Sequence, residues 1–166
     1  MRGENVDEIE KLYEKYFQNI YRYSLSLCRD KATAEDIACE TFLKAIKSIN
    51  NFRGDCSEKA WLCQIAKNTY FSMLKKAKNV TPLDLSTEIE ATDFTEKLLD
   101  KASALEIHRY LHNLEEPYKE VFSLRTFGEL SFAEIAEIFG KTESWSRVTY
   151  HRSKIKLKEA LLWIAK

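Results

Sequence analysis

Arg147, Val148, His151 and Arg152 fall within roughly a turn and a half of one helical pattern, and Lys154, Lys156 and Lys158 lie beyond them. An arginine guanidinium can make two parallel bonds to a guanine edge, whereas a lysine ammonium mainly neutralises phosphate. These types at this spacing suit recognition of a nucleic acid. They equally suit a solvated basic face on an ordinary three-helix bundle. The preceding residues favour the first reading. Ser131 and Glu134 have the spacing of a capping box, and Phe132, Ile135, Ala136 and Phe139 give the helix an apolar face. Gly140 suits a left-handed terminator, and Thr142 can cap the next helix. Tyr150, Ser153 and Leu157 are spaced to face inward. Two helices around so short a glycine turn match a helix-turn-helix, whose second helix enters the major groove.

The charge distribution sharpens this reading. The chain has no net charge, yet residues 141–166 carry +5 and residues 1–76 carry +2. Residues 77–106 carry −4 and residues 107–140 carry −3. A polyanion would meet the C-terminal segment very differently from the middle.

Other chemistry finds little support. His108, His112 and Glu115 fall at i, i+4 and i+7, a spacing able to hold a metal, but a solvated helix face explains them better. His151 is the third and last histidine, and none of the three stands with a candidate nucleophile, so an enzyme is rejected. No metal, cofactor or catalytic residue is expected. Cys28, Cys39, Cys56 and Cys63 lack C-x-x-C pairing. Three lie in helical patterns, where a reduced cysteine serves as a small buried hydrophobe. Cys56 lies in a loop, and a redox role for it has no support.

The elements that must position these groups are helical. Only four Gly and two Pro disfavour a turn-rich β fold, and 45% hydrophobic residues suffice for a core. No apolar run approaches the roughly 20 residues of a membrane span. No secretory signal opens the chain, so a cytoplasmic location is expected. Ile9, Leu12, Tyr13, Tyr16, Phe17, Ile20, Tyr23 and Leu27 define a first helix. A second is predicted to start at a Thr33–Asp36 capping box, and a third spans about Ser57 to Lys76. Residues 77–104 lose the pattern, are acidic and contain Pro82, although Phe94 to Leu99 could join a helix. Periodicity returns from Leu105, and Pro117 is placed to open a helix in its first turn. The fold class is all-α, with domains at 1–76 and 105–166 joined by a flexible acidic linker, 77–104.

The segment LHNLEEPYKEVFSLRTFGELSFAEIAEIFGKTESWSRVTYHRSKIKLKEAL resembles region 4 of the extracytoplasmic-function (ECF) sigma factors of bacterial RNA polymerase. LRTFGELSFAEIAEIFGKTESWSRVT is most similar to a subgroup associated with cell-envelope stress. Upstream, AEDIACETFLKAIKSINNFRGD resembles the helix of region 2 that docks on the polymerase clamp, followed by its promoter-melting loop. FRGDCSEKAWLCQIAKNTY resembles the family segment that reads the −10 element.

This resemblance implies a sigma factor that directs core RNA polymerase to promoter DNA in a stress response, restrained by a membrane-anchored anti-sigma factor. It implies a −10 pocket made by Phe52, Arg53, Gly54, Asp55, Cys56 and Asn68. Such a base pocket needs apolar walls and groups that bond a base edge; without the resemblance, Gly54 and Asp55 suit a plain turn. Lys67, Lys75 and Lys76 hold phosphates or form a solvated face. Trp61 matches a family position, but its spacing favours core over a stacking platform. Asp36, Cys39, Glu40, Phe42 and Leu43 match the polymerase-contacting helix, with Phe42 equally suited to the core. Arg125 matches a position near the −35 backbone, beside the reading set Arg147, Val148, His151, Arg152 and Lys154. The chain departs from the common family pattern at Cys39, Ser72, Trp145 and Ser146. The competing reading is a helix-turn-helix regulator acting without polymerase, which leaves the first domain's loop and Asn68 idle.

Overall fold

A computed structural model describes residues 2–78 and 104–162 of the chain, with side chains from 7 and from 106 onward. The described residues form α1 (Arg2–Cys28), α2 (Lys31–Ser48), a 3-10 turn (Ile49–Asn51), α3 (Glu58–Lys78), α4 (Ala104–Asn113), α5 (Tyr118–Thr126), α6 (Phe132–Phe139) and α7 (Glu143–Leu162). Among them there is no strand, and no helix is long and apolar enough to cross a membrane. The acidic linker, and with it Phe94 to Leu99, lies outside the described residues.

Helices α1–α3 pack as one bundle. Ile9, Leu12, Ile20, Tyr23 and Leu27 recur at intervals of three, four and eight residues on α1 and are buried against Ile37, Thr41, Phe42 and Ala45 of α2 and Leu62 and Ala66 of α3. Helix α1 stops where Arg29 turns left-handed (φ 61°) and its N–H bonds the Leu25 carbonyl at 2.8 Å. Asp30 then caps α2, its carboxylate accepting from the Thr33 N–H at 2.8 Å and from the Thr33 hydroxyl at 2.5 Å. This corrects the Thr33–Asp36 box: a charged acceptor one position before the helix reaches Thr33 first. Ser57 starts α3, its hydroxyl accepting from the Ala60 N–H at 3.1 Å.

The second bundle is held by α7, against which α4, α5 and α6 pack. Pro117 stands at the cap of α5, one position ahead of the expected first turn, and its carbonyl accepts from the Val121 N–H at 3.0 Å. Ser131 and Glu134 form the predicted capping box. Gly140 is left-handed (φ 60°), and the Thr142 hydroxyl accepts from the Trp145 N–H at 3.2 Å.

The two bundles are packed together, and their buried residues join one continuous core. At the junction Gly128 follows α5 and lies against Cys63 of α3. A Cβ on Gly128 would stand 3.4 Å from the Cys63 sulfur and 2.8 Å from the Leu124 carbonyl oxygen. His108 is buried, with its ring stacked on Phe127 at 5.2 Å. That corrects the solvated helix face at His108 alone, because packing of α4 removes this histidine from water, while His112 and Glu115 are exposed. Among the described residues no cluster suits a metal.

The cysteines divide. Cys63 is buried, Cys28 and Cys56 are half-buried, and Cys39 is exposed, contrary to its expected burial. Burial pushes the Cys63 thiol up to about 12 and the Cys28 thiol up to about 11, so both stay protonated and unreactive.

Candidate nucleic-acid interface

Helix α7 separates an inner from an outer face. Ser146, Thr149, Ser153 and Leu157 are buried, and Tyr150 is half-buried. Ser144, Arg147, Val148, His151, Arg152, Ile155 and Lys158 are exposed and run along the opposite side. The predicted reading residues therefore share one outward stripe, except Lys154, which is half-buried with its ammonium 4.9 Å from the Tyr150 ring centroid. Lys156 leaves the stripe altogether: it pairs with Glu115 at 3.1 Å and lies over the Tyr118 ring. That lysine ties α7 to the segment between α4 and α5 and to the start of α5.

The stripe is anchored from beneath. The buried Ser146 hydroxyl contacts the carbonyls of Phe132 and Glu143, each at 2.7 Å, fixing the start of α7 to α6. Trp145 packs on Phe139 with centroids 5.2 Å apart. The two departures from the family pattern thus make a well-packed joint. The Phe132 ring carries the guanidinium of Arg147 at 4.9 Å and that of Arg125 at 4.6 Å. Arg147 also pairs with Glu143 one turn earlier. Arg125 is half-buried and donates to the Leu130 carbonyl at 2.8 Å, so its first task is to hold the turn before α6.

The first bundle carries the second predicted set. Phe52 is half-buried and stacked on Trp61, centroids 4.7 Å apart, which makes Trp61 the floor of the loop. Arg53, Gly54 and Asp55 are exposed, and Gly54 takes φ 73°, a left-handed turn with open space around it. Asn68 is exposed on α3 in line with Gln64, Phe71, Ser72 and Lys75. Phe71, 51% exposed, escapes sequence reasoning, because periodicity collects apolar residues without saying which one lies outside the buried stripe. An exposed aromatic beside an amide and a cation is the combination that single-stranded nucleic acid uses. Lys67, by contrast, is already engaged: it pairs with Glu120 of α5. The half-buried Cys56 thiol is pushed up by burial and by the negative charges of Glu137, Asp55 and Glu134.

The third set surrounds the solvent side of α2. Asp36, Cys39, Glu40 and Leu43 are exposed. Phe42 is buried among Tyr13 and Phe17, at 5.0 and 6.2 Å between centroids, so it belongs to the core. Beside it, Tyr13, Leu43 and Ile46 are exposed apolar side chains around a groove of about 490 Å³. An acidic rim over an apolar floor suits a protein partner better than DNA.

The fold is an all-helical pair of bundles with an outward arginine stripe on a helix-turn-helix. Residues 12–80 match the family model of sigma-70 region 2, and residues 104–157 match that of sigma-70 region 4. RNA polymerase sigma factor YlaC of Bacillus subtilis is 34% identical over 158 residues, covering 92% of this chain and 91% of the relative. ECF RNA polymerase sigma factor SigM of the same organism is 29% identical, covering 90% and 93%. In fold, the chain is similar to the sigma factor RpoE of Bartonella quintana, solved with the anti-sigma factor NepR. There the TM-score is 0.72 at 19% identity, with 93% of this chain and 96% of that one covered. It is also similar to CnrH, solved with the cytosolic domain of CnrY, with TM-score 0.67 at 17% identity and 96% and 91% covered. The chain belongs to the ECF group of sigma-70-type RNA polymerase sigma factors.

Proposed function

We propose that this chain confers promoter choice on core RNA polymerase, with α1–α3 capturing the −10 element and α4–α7 holding the −35 element. The observation that carries this is the outward stripe of Arg147, Val148, His151 and Arg152, on a chain that matches sigma regions 2 and 4 in that order. In the −35 complex the two arginines reach base edges, Val148 supplies an apolar contact, His151 lies beside them, and Arg125 and Lys154 steady the backbone. In the −10 complex the loop from Phe52 through Arg53, Gly54 and Asp55 to Cys56 receives an unstacked base, with Asn68 at its edge and Lys67 on phosphate. The exposed part of α2, with Asp36, Cys39, Glu40 and Leu43, meets the polymerase, and Phe42 supports that surface from inside.

The protein acts in the cytoplasm, has no catalytic activity of its own, and serves an extracytoplasmic stress response. A membrane-anchored anti-sigma factor restrains it; RpoE of Bartonella quintana, similar in fold, was captured with the anti-sigma factor NepR. The test is in vitro transcription with core polymerase across a promoter library. Specific start sites that vanish when the protein is omitted support the proposal. If it binds DNA but never retains core polymerase, the protein is a regulator of another kind.

A further inference from the structure

Three cations around the start of α7 rest on aromatic rings. Phe132, the first residue of α6, carries the guanidinium of Arg125 at 4.6 Å and that of Arg147 at 4.9 Å. Its ring meets Tyr150 of α7 at 5.7 Å between centroids, and Tyr150 in turn carries the ammonium of Lys154 at 4.9 Å. Tyr150 also stacks on Phe122 of α5 at 5.8 Å, and Phe122 is buried. Phe122, Tyr150 and Phe132 therefore form one aromatic column that joins three helices. It is fixed in the core at one end and half-buried, under its cations, at the other.

A ring and a carboxylate hold a cation differently. The carboxylate cancels the charge, as Glu115 does for Lys156. A ring face leaves the charge in place, and a guanidinium stacked on it keeps its in-plane N–H donors free. Arg125 uses one donor on the Leu130 carbonyl, and Arg147 uses one on Glu143. Their remaining donors are open to a partner. Arginine also has one of the largest rotamer entropies of any side chain, and a wandering arginine loses it when it binds. A ring that orders the side chain beforehand removes that loss from the binding step.

We propose that Phe132, braced by Tyr150, is a positioning residue for DNA recognition: it orders Arg125 and Arg147 before DNA arrives and leaves their charge intact. Phe132 acts through the two arginines and not on DNA itself. The proposal rests on the reading of the −35 element by α7, and its test separates the two.

Fluorescence anisotropy with the full chain measures affinity for two labelled duplexes, one selected by the wild-type protein from a random pool and one a scramble of it. Phe132 is replaced site-specifically by mono-, di- and trifluorophenylalanine, which drain negative charge from the ring face and keep its shape. Affinity for the selected duplex should fall stepwise, to about a third of wild type at the last member, while the urea midpoint stays in place. Phe132→Leu should lower affinity about tenfold, the ordering cost of two long side chains, and Phe132→Tyr should keep it within about twofold of wild type. With Arg125 and Arg147 both replaced by Ala, Phe132→Leu should cost nothing further; in the Arg152→Ala background it should cost its full effect. Affinity that stays flat across the fluorine series, or a Phe132→Leu loss that survives removal of both arginines, overturns the positioning role. If the wild-type protein does not distinguish the two duplexes, the −35 reading fails, and the fluorine trend on either duplex still decides the role of Phe132.

Discussion

The hydroxyl of Ser146 meets the carbonyl of Phe132 at 2.7 Å from a fully buried position, and this bond sets the angle between the two helices of the DNA-reading motif. Ser146→Ala leaves a buried carbonyl with one fewer donor, at a cost of about 1–2 kcal/mol. Urea unfolding should show that loss, whereas Ser144→Ala, two positions earlier and exposed, should leave the midpoint unchanged. Equal midpoints for the two variants would mean that the bond does not stabilise the joint.

Two glycines should respond differently to the same substitution. A Cβ at Gly128 falls 2.8 Å from the Leu124 carbonyl oxygen and 3.4 Å from the Cys63 sulfur, so backbone must shift. Gly128→Ala should cost about 1–3 kcal/mol by overpacking. Gly140 has open space but φ 60°, so Gly140→Ala should cost about 1 kcal/mol from backbone conformation alone. The pair is distinguished further by Cys63→Ala, which should relieve part of the Gly128→Ala penalty and none of the other. Thermal denaturation of the single and double variants measures this.

Most of the fold is legible in the sequence because helical periodicity and capping are local. The Ser131–Glu134 box, the left-handed Gly140 and the Thr142 cap all arise from residues within a few positions of one another. The outward stripe on α7 is legible for the same reason. Periodicity says which face of a helix is buried, but not against what. The acidic balance of residues 107–140 is visible in the sequence, yet nothing there places Glu120 on Lys67 or Glu134 on Ser57. Those pairings depend on how two bundles dock, as does the burial of His108 against Phe127. Lys156 joins the basic run in sequence but not in space, since its partner Glu115 lies on the segment after α4.

His108 gives the fold a pH dependence with a definite sign. Burial, followed by the nearby charge of Arg29, pushes its imidazole down to about 4 from an ordinary value of 6.5. Between these values the unfolded chain binds a proton that the folded chain does not, so stability falls as pH drops through that window. The full difference is about 3 kcal/mol. His112 is lowered by burial, Lys119 and Arg29, and adds in the same direction. Glu134 acts lower on the scale: burial would raise its carboxyl, but hydrogen bonds from Ser57 and Ser131 outweigh that and hold it below the ordinary value. His108→Gln should flatten the slope of unfolding free energy between pH 6.5 and 4 while leaving the slope below pH 4 in place. A parallel offset with no change of slope would assign the dependence elsewhere.

Recognition of the −35 element should separate the basic side chains of α7 by what each touches in the free protein. Arg147→Ala and Arg152→Ala remove groups able to bond base edges, so each should lower affinity for the cognate duplex by about 1–3 kcal/mol and relax preference at one base pair. Lys154→Ala should weaken cognate and scrambled duplexes alike and reduce the slope of log affinity against log salt by about 1. Lys156, held by Glu115 and the Tyr118 ring, should leave DNA affinity unchanged when replaced by Ala. Glu143 competes with DNA for Arg147; Glu143→Gln should therefore tighten binding, and more so in the presence of Arg147 than in the Arg147→Ala background. Electrophoretic mobility shifts at several salt concentrations measure all six variants, the double variant included. If Arg147→Ala and Arg152→Ala both keep wild-type preference, the outward stripe does not read the sequence.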